Sequence, residues 1–417
     1  MIGSKLGNAC ARALKAALPV LALAFVAGFS QGPLAATTIS PIETPLTGTA
    51  DRMISYREQN HSWQTSDGAF HLLINTGNQP SRDALRLYTT RDLGATWTAG
   101  PTLPSTNGMS TEDGVLIGNS LAIAYVTTAN NIKFASFVWN SASGTWSGNS
   151  AQTVFASNAQ TALNPCLGRD SVGNVWVAFA TTDAEGDSSI RMMVRQAGTN
   201  EWVDPGLTFG DTATATVEGS ERSARPVQIP GGMGMVYSVQ KDLYWASRSD
   251  SAALGDPWAT QLLYTHTGGG NDPYASHFSV ANDAEGNLHL ATVDGGELLY
   301  LHYDAGSATW SQRVLAGSGI QANYPQVTIV GSTLVVAANV KTNAGVFTSP
   351  DLGQTFTYSY ALQHGAYGPG ITFKTPRIET AASSTSPVLL FQQYYDHGSQ
   401  RLLEYAIPIE NRDASSH

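Results

Sequence analysis

The stretch Phe278-Ser-Val-Ala-Asn-Asp-Ala-Glu-Gly-Asn-Leu-His-Leu-Ala-Thr-Val-Asp-Gly-Gly-Glu-Leu-Leu-Tyr-Leu-His-Tyr303 reads as three short strands and two tight turns. Phe278 to Ala281 is a first strand, and Asp283 to Asn287 form a turn. Leu288 to Val293 is a second strand, Leu298 to Tyr303 a third, and a fourth is expected from Trp310. Gly286 and Asn287 suit the positive φ of a tight hairpin. The second strand is nearly continuous in apolar residues, which fits a strand covered on both faces.

The same pattern recurs along the chain. Second-strand runs begin at Phe70, Leu121, Val175, Met235, Leu288, Leu334 and Val388, separated by 51, 54, 60, 53, 46 and 54 positions. One aromatic per unit forms a parallel series: Trp97, Trp146, Trp202, Trp258, Trp310 and Phe356. A period of about 54 residues is that of a propeller blade. The expectation is an all-β, seven-bladed propeller of four-stranded antiparallel blades, forming one domain over residues 37–417. The seventh unit ends without an aromatic fourth strand, while Thr38 to Leu46 is a spare strand ahead of the first. The N-terminal strand is therefore expected to complete the last blade, closing the ring and protecting its edges.

Composition agrees. Charged residues are 13% of the 417, against roughly 25% in ordinary soluble domains. The formal charge of −10 argues against nucleic acid as a partner. Met1 to Ala36 read as a secretory signal, with Lys5, Arg12 and Lys15 ahead of the apolar run Ala17 to Phe29, and Leu34-Ala-Ala36 offered for cleavage. Removing 36 of 417 residues leaves 381, and 19 basic against 32 acidic residues, a charge of −13. The apolar run is short for a membrane span and no later segment is long enough, so an exported, monomeric protein is expected. Cys10 leaves with the signal; Cys166 remains, expected as a small buried residue, with no disulfide or cysteine-ligated zinc. No cofactor is expected; spacing shows no metal site, although a structural calcium held by loop oxygens would leave no readable pattern.

Two turns carry a sharper signature. Thr90-Arg-Asp-Leu-Gly-Ala-Thr-Trp97 and Ser349-Pro-Asp-Leu-Gly-Gln-Thr-Phe356 share the form Ser/Thr-x-Asp-x-Gly-x-Thr-aromatic, with weaker relatives at Asn140 to Trp146 and Asp304 to Trp310. Asp92 and Asp351 would accept amides across the turn, and Gly94 and Gly353 would supply the unusual φ. These turns resemble the Asp-box (BNR-repeat) propellers, which include sialidases, polysaccharide-cleaving enzymes and lectins. The motif implies architecture and is almost silent on chemistry.

Candidate chemistry follows from geometry. Residues 8 to 11 positions before each second strand should converge on the mouth of the ring: His61, Glu112 or Asp113, Asn164, Arg225, His277, Tyr324 and Arg377. A glycosidase wants two carboxylates at a set separation, and acidic candidates come from one repeat only. A polyuronate lyase instead needs Arg, Asn or His to neutralise a carboxylate dianion, with His and Tyr as base and acid. That assignment gives Arg225 and Asn164 to the uronate carboxylate, His277 as base, Tyr324 as acid and His61 as alternative base. Arg377, Lys241, Tyr394 and His397 are further substrate-binding candidates, and Gly268 to Asp272 a candidate lid. In these residue types and in blade number the chain resembles the seven-bladed ulvan-type polysaccharide lyases, which implies an acidic polysaccharide as partner and cleavage by β-elimination.

Bland readings stand beside each choice. His71 and His289 lie inside second strands and read as packed residues. His277 would cap a loop, Tyr324 and Asn164 would pack before prolines, and Arg377 would bond backbone carbonyls. Arg225 would pair with Glu218 or Glu221. The sialidase alternative implies an arginine triad, a Tyr–Glu nucleophile pair and an Asp acid/base; its early Arg-Ile-Pro motif is missing, Asp51-Arg-Met53 and Tyr56-Arg-Glu58 being the nearest stretches. A lectin is the third reading, against which the mouth residues differ from blade to blade.

Overall fold

A computed structural model describes residues 36–409, apart from 51, 55–57, 78–84, 105, 107–111, 149, 159, 213–221, 269–273, 342, 364–371, 379–386 and 397, with 211, 212, 274 and 372–378 described by their backbone. The secretory segment expected at residues 1–36 falls almost wholly outside these. Seven antiparallel sheets follow one another along the chain, and each is a blade. The innermost strands are Ser62–Gln64, Glu112–Ile117, Thr161–Arg169, Ala224–Ile229, Phe278–Asn282, Ala322–Val330 and Thr372–Ile378. All seven second strands form where the repeat places them, from Phe70–Asn75 to Val388–Asp396. In blades 2 and 3 the outer edge is broken in two, so Gln152–Phe155 and Thr208–Thr212 continue the fourth strand along the third.

The ring closes as expected, with one refinement. Ile42–Gly48 pairs antiparallel with Ser399–Ile407 and completes blade 7. The residues just before it do not belong to that strand: Thr37–Ile39 runs parallel to Thr357–Leu362 on the edge of blade 6. The predicted single strand Thr38 to Leu46 is thus divided between two blades at Ser40-Pro41. Pro41 has no N–H for a ladder, which is a reason for the break to fall there.

The aromatic series is what joins blade to blade. Trp146 packs against His71 of blade 1, Trp202 against Phe134 of blade 2, and Trp258 against Trp176 of blade 3, with ring centroids 4.7–5.4 Å apart. Trp310 meets Trp245 of blade 4, Phe356 meets Tyr300 of blade 5, and Trp97 meets Phe391 of blade 7 across the closing junction. Each aromatic reaches back to the preceding blade. Such pairs add about 0.5–1.5 kcal/mol beyond area burial.

His71 and His289 are packed, as read. His71 bonds Thr65 and Thr89 at 3.0 and 2.9 Å, and His289 bonds the Tyr300 hydroxyl at 2.6 Å. Burial lowers them to about 3 and about 4, so both stay neutral at ordinary pH.

The two signature turns close in the same way. Thr96 and Thr355 each donate their amide and hydroxyl to Asp92 and Asp351 respectively, at 2.6–2.9 Å. Thr90 and Ser349 each donate to the same carboxylate and accept from the glycine amide. The Thr96 hydroxyl and amide hold Asp92 below its usual range; burial opposes the same effect at Asp351, where Ser349 and Thr355 prevail. Gly94 and Gly353 have φ of 84° and 93°, and Leu93 and Leu352 just before them are left-handed as well. A Cβ on Gly353 would overlap the Tyr300 hydroxyl, whereas one on Gly68, at φ 81°, would meet open space. Gly68→Ala should therefore cost about 1–2 kcal/mol from backbone strain alone, and Gly353→Ala roughly 2–5 kcal/mol because overpacking adds to it. Equal midpoint shifts in denaturant titrations of the two variants would show that the turn does not press on blade 5.

Candidate functional site

The upper face of the ring is where the innermost strands begin. There the structure brings several of the predicted residues into one buried polar layer. His61 immediately precedes the first strand of blade 1, and its Nε2 lies 3.3 Å from Oε1 of Glu112, the first residue of blade 2's inner strand. Asp113 follows Glu112 and is wholly buried. Its Oδ1 accepts from the Asn60 amide and from Arg225 Nη1, both at 2.7 Å, and its Oδ2 accepts from the Leu167 amide at 2.6 Å. A single carboxylate of blade 2 thereby holds blades 1, 3 and 4.

This corrects the role expected of Arg225. The expected receptor for a substrate carboxylate is 6% exposed and donates to Asp113, while Glu218 and Glu221 lie outside the described residues. Burial raises the Asp113 carboxyl, with Arg225 and the Leu167 and Asn60 amides opposing. Burial likewise works against the charge of Arg225, but Asp113 outweighs it and holds the guanidinium above its ordinary value. An arginine does not give up its proton, so a neutral Asp113 would strand a buried cation. The pair is therefore ionised.

Cys166 adjoins the same layer. It is buried, as read, but among polar groups: its thiol donates to Glu58 Oε1 at 3.5 Å. Burial, then Glu58 and Asp113, push it well above its usual value, so it remains a thiol. Glu58 was not singled out in the sequence. It is buried, comes from the segment leading into blade 1, and adds a second source of carboxylate beside Glu112 and Asp113 of blade 2. No periodic signal marks it.

A second assembly spans blades 3 to 6. Asn164 donates from Nδ2 to the carbonyl of buried Arg222 at 3.1 Å, and Arg222 in turn donates to the Gly210 carbonyl. The next residue, Ser223, donates to the Ser276 carbonyl at 3.1 Å, directly ahead of His277. The His277 and Tyr324 rings then meet from blades 5 and 6, with centroids 4.6 Å apart. The His277 carbonyl accepts from Thr292, whose hydroxyl also bonds buried His266 at 3.0 Å; the other nitrogen of His266 faces the Lys241 carbonyl at 3.1 Å. Burial lowers His266, with the Lys241 carbonyl opposing.

Asn164 and Tyr324 share an uncommon backbone. Both precede proline, both sit at a register shift of their inner strand, and both have positive φ, 52° and 51°. A bulky residue before proline is ordinarily held in the extended region. Strain of this kind is a reason to look for function at the bulge.

The remaining candidates fall elsewhere. Tyr394 is buried in the core between blades 6 and 7 and donates its hydroxyl to Glu43 at 2.9 Å, so it does not face a substrate; Tyr395, one residue on, is exposed. Lys241 is exposed on the turn between the second and third strands of blade 4. Arg377 lies in the inner strand of blade 7, opposite Phe391, with only its backbone described, and His397 lies outside the described residues. Of the candidate lid, Gly268 is described; its amide and that of Thr267 are held by Asp294 at 2.8–3.0 Å. Among the described residues no group of three or more His, Cys, Asp or Glu converges as a metal site.

Most of the predicted mouth residues are recessed, Tyr324 being half-buried. His61, Asn164, Arg225 and His277 are each buried to 6% exposure or less. A cavity of about 530 Å³ lies instead below this layer, lined by Trp63, Val115, Leu167, Pro226 and Val280 and reaching the lower-face turn at Asp283 to Gly286. Asn60 and Arg225 also line it.

Fold and site together describe a seven-bladed propeller with an asymmetric polar layer where its inner strands begin. No protein-family model matches the chain, and no curated protein does. Solved structures similar to it include the Aleuria aurantia lectin in complex with Fucα1-6GlcNAc, 13% identical over 76% of this chain and 99% of the lectin at a TM-score of 0.47. The α-L-arabinanase of Penicillium chrysogenum complexed with arabinobiose is 14% identical over 76% of this chain and 99% of its own, at 0.48. The polysaccharide lyase Uly1 is 10% identical over 84% and 90%, also at 0.48. At such identities and scores none of the three transfers its ligand or reaction to this chain.

Asp113→Asn should lower stability by about 3–5 kcal/mol, because Arg225 is then left as an unpaired buried cation. Replacing both partners by apolar residues, Asp113→Leu with Arg225→Met, should recover much of that loss. A double variant as unstable as the sum of its single variants in chemical denaturation would show that the pair is not the axial tie.

Proposed function

We propose that this chain is an exported carbohydrate-active propeller that cleaves a uronate-containing polysaccharide by β-elimination at its upper axial centre. The observation that carries this reading is the contact between His277 and Tyr324, one imidazole and one phenol brought ring to ring from neighbouring blades. In the reaction, His277 takes the proton α to the uronate carboxylate. That electron pair forms the ring double bond, the bond to the leaving oxygen breaks, and Tyr324 donates its proton to that oxygen. Asn164, whose amide donates to the Arg222 carbonyl, is assigned to the substrate carboxylate as the second polar group of this site. With Arg225 neutralised by Asp113, Arg377 is the remaining arginine of the predicted mouth and takes over the cationic part of that recognition.

A second reading has its own observation. Glu58 and Glu112, from different blades, are both buried in the upper layer, and two carboxylates are what a glycoside hydrolase requires. Incubation with ulvan-like, glucuronan-like and sialylated substrates separates the two. Absorbance of unsaturated uronates accompanies elimination, whereas new reducing ends without it indicate hydrolysis, and binding without either indicates a lectin. Tyr324→Phe should lower kcat for elimination by about 10²–10⁴ with the melting temperature little changed. An unsaturated-product rate equal to that of the parent protein would remove Tyr324, and with it this mechanism.

A further inference from the structure

Glu404 lies in the third strand of blade 7, between Ile42 of the closing strand and Phe391 of the second strand. It is fully buried, and neither carboxyl oxygen has a hydrogen-bond partner. Its side chain faces blade 1, where a Cβ on Gly94 would overlap the carboxyl. The signature turn of blade 1 therefore rests on this group.

Blade 5 shows how the fold treats the equivalent place. Tyr300 pairs with Ala291 as Glu404 pairs with Phe391, and Tyr300 lies beneath Gly353 as Glu404 lies beneath Gly94. The Tyr300 hydroxyl is bonded to His289. The residue of blade 7 that corresponds to His289, two before the cross-strand partner, is Leu389, which offers nothing. A satisfied phenol–imidazole pair in one blade is thus replaced by a bare carboxyl at the junction that closes the ring.

We propose that Glu404 is a proton-controlled latch on this junction. Protonated, it lets the blade 1 turn seat on blade 7; ionised, it places an unpaired charge beneath Asp92 and loosens the closing strand.

The surroundings fix the direction. Blade 1 presents Asp92, an anion, together with Tyr88 and Trp97 at the edge of the shared core. On blade 7 the same face carries Leu389, Phe391, Leu402 and Ala406. Glu43, Arg401 and Asp396 alternate to the opposite face, where Arg401 pairs with both acids at 2.6 and 3.3 Å. Among the described residues no cation acts on Glu404: burial, and then Asp92, raise it from 4.5 to about 8. The folded protein thus keeps this proton longer than the unfolded chain. The associated stability is complete below the unfolded value of 4.5 and is lost as pH rises towards about 8.

The test uses the full chain, the Glu404→Gln variant, and the double variant Leu389→His/Glu404→Tyr, which installs the blade 5 arrangement. Melting temperature should fall with rising pH in the parent relative to both variants, the gap widening until about pH 8 and then levelling. Hydrogen exchange of residues 42–48, corrected for intrinsic rates, should speed up about tenfold or more over that range in the parent, and not in the 232–249 hairpin of blade 4. The parent's infrared spectrum should show a protonated, non-bonded carboxyl at neutral pH that disappears as pH rises, a reading independent of whether either variant folds. Parallel pH profiles for parent and Glu404→Gln, a uniform change in exchange, or no such carboxyl band at neutral pH would each overturn the latch.

Discussion

One buried carboxylate organises the centre of this molecule. A propeller is held around its circumference by contacts between neighbouring blades, but neighbours alone do not fix what happens on the axis, where inner strands approach without pairing. Asp113 supplies that constraint by accepting from Asn60, Leu167 and Arg225, three groups on three other blades. Its ionised state follows from the arginine opposite, and the arginine's position follows from Asp113. Each charge makes the other tolerable away from water.

The upper layer is built around that pair. His61 with Glu112 and Cys166 with Glu58 occupy its flanks, while Asn164, Arg222 and Ser223 carry the connection on towards His277 and Tyr324. The left-handed backbone at Asn164 and Tyr324 coincides with the places where two inner strands leave regular register. Neutralising Arg225 removes the simplest positive receptor for an acidic sugar. The imidazole–phenol contact consequently bears more of the functional reading than the arginine.

The architecture was legible because it is periodic. Seven second strands, the turn at Asp283 to Asn287 and the closing N-terminal strand all lie where spacing puts them. The aromatic series was visible too, although only the structure shows that each ring serves the preceding blade. The site was less legible, for reasons that can be named. Arg225 and Asp113 are 112 positions apart, and acids close in sequence such as Glu218 and Glu221 looked equally suited. Tyr394 was misread because its strand is covered on both sides, so alternation gives no sign of which neighbour a side chain faces. Glu58 belongs to a connecting segment, outside the strands that carry the repeat. In contrast, Pro41 was in plain view as the point where the first strand divides.

That division has a consequence for how the chain is made. Thr37–Ile39 and Ile42–Gly48 leave the ribosome ahead of every blade, yet their partners are Thr357–Leu362 and Ser399–Ile407. Of the described strands, the two made first are thus docked only after the strands of blades 6 and 7 have been made. Until then blades 6 and 7 each present an uncovered edge, a template for pairing with a second nascent copy. Assembly therefore favours a chain whose first two strands stay unpaired until the C-terminal strands arrive.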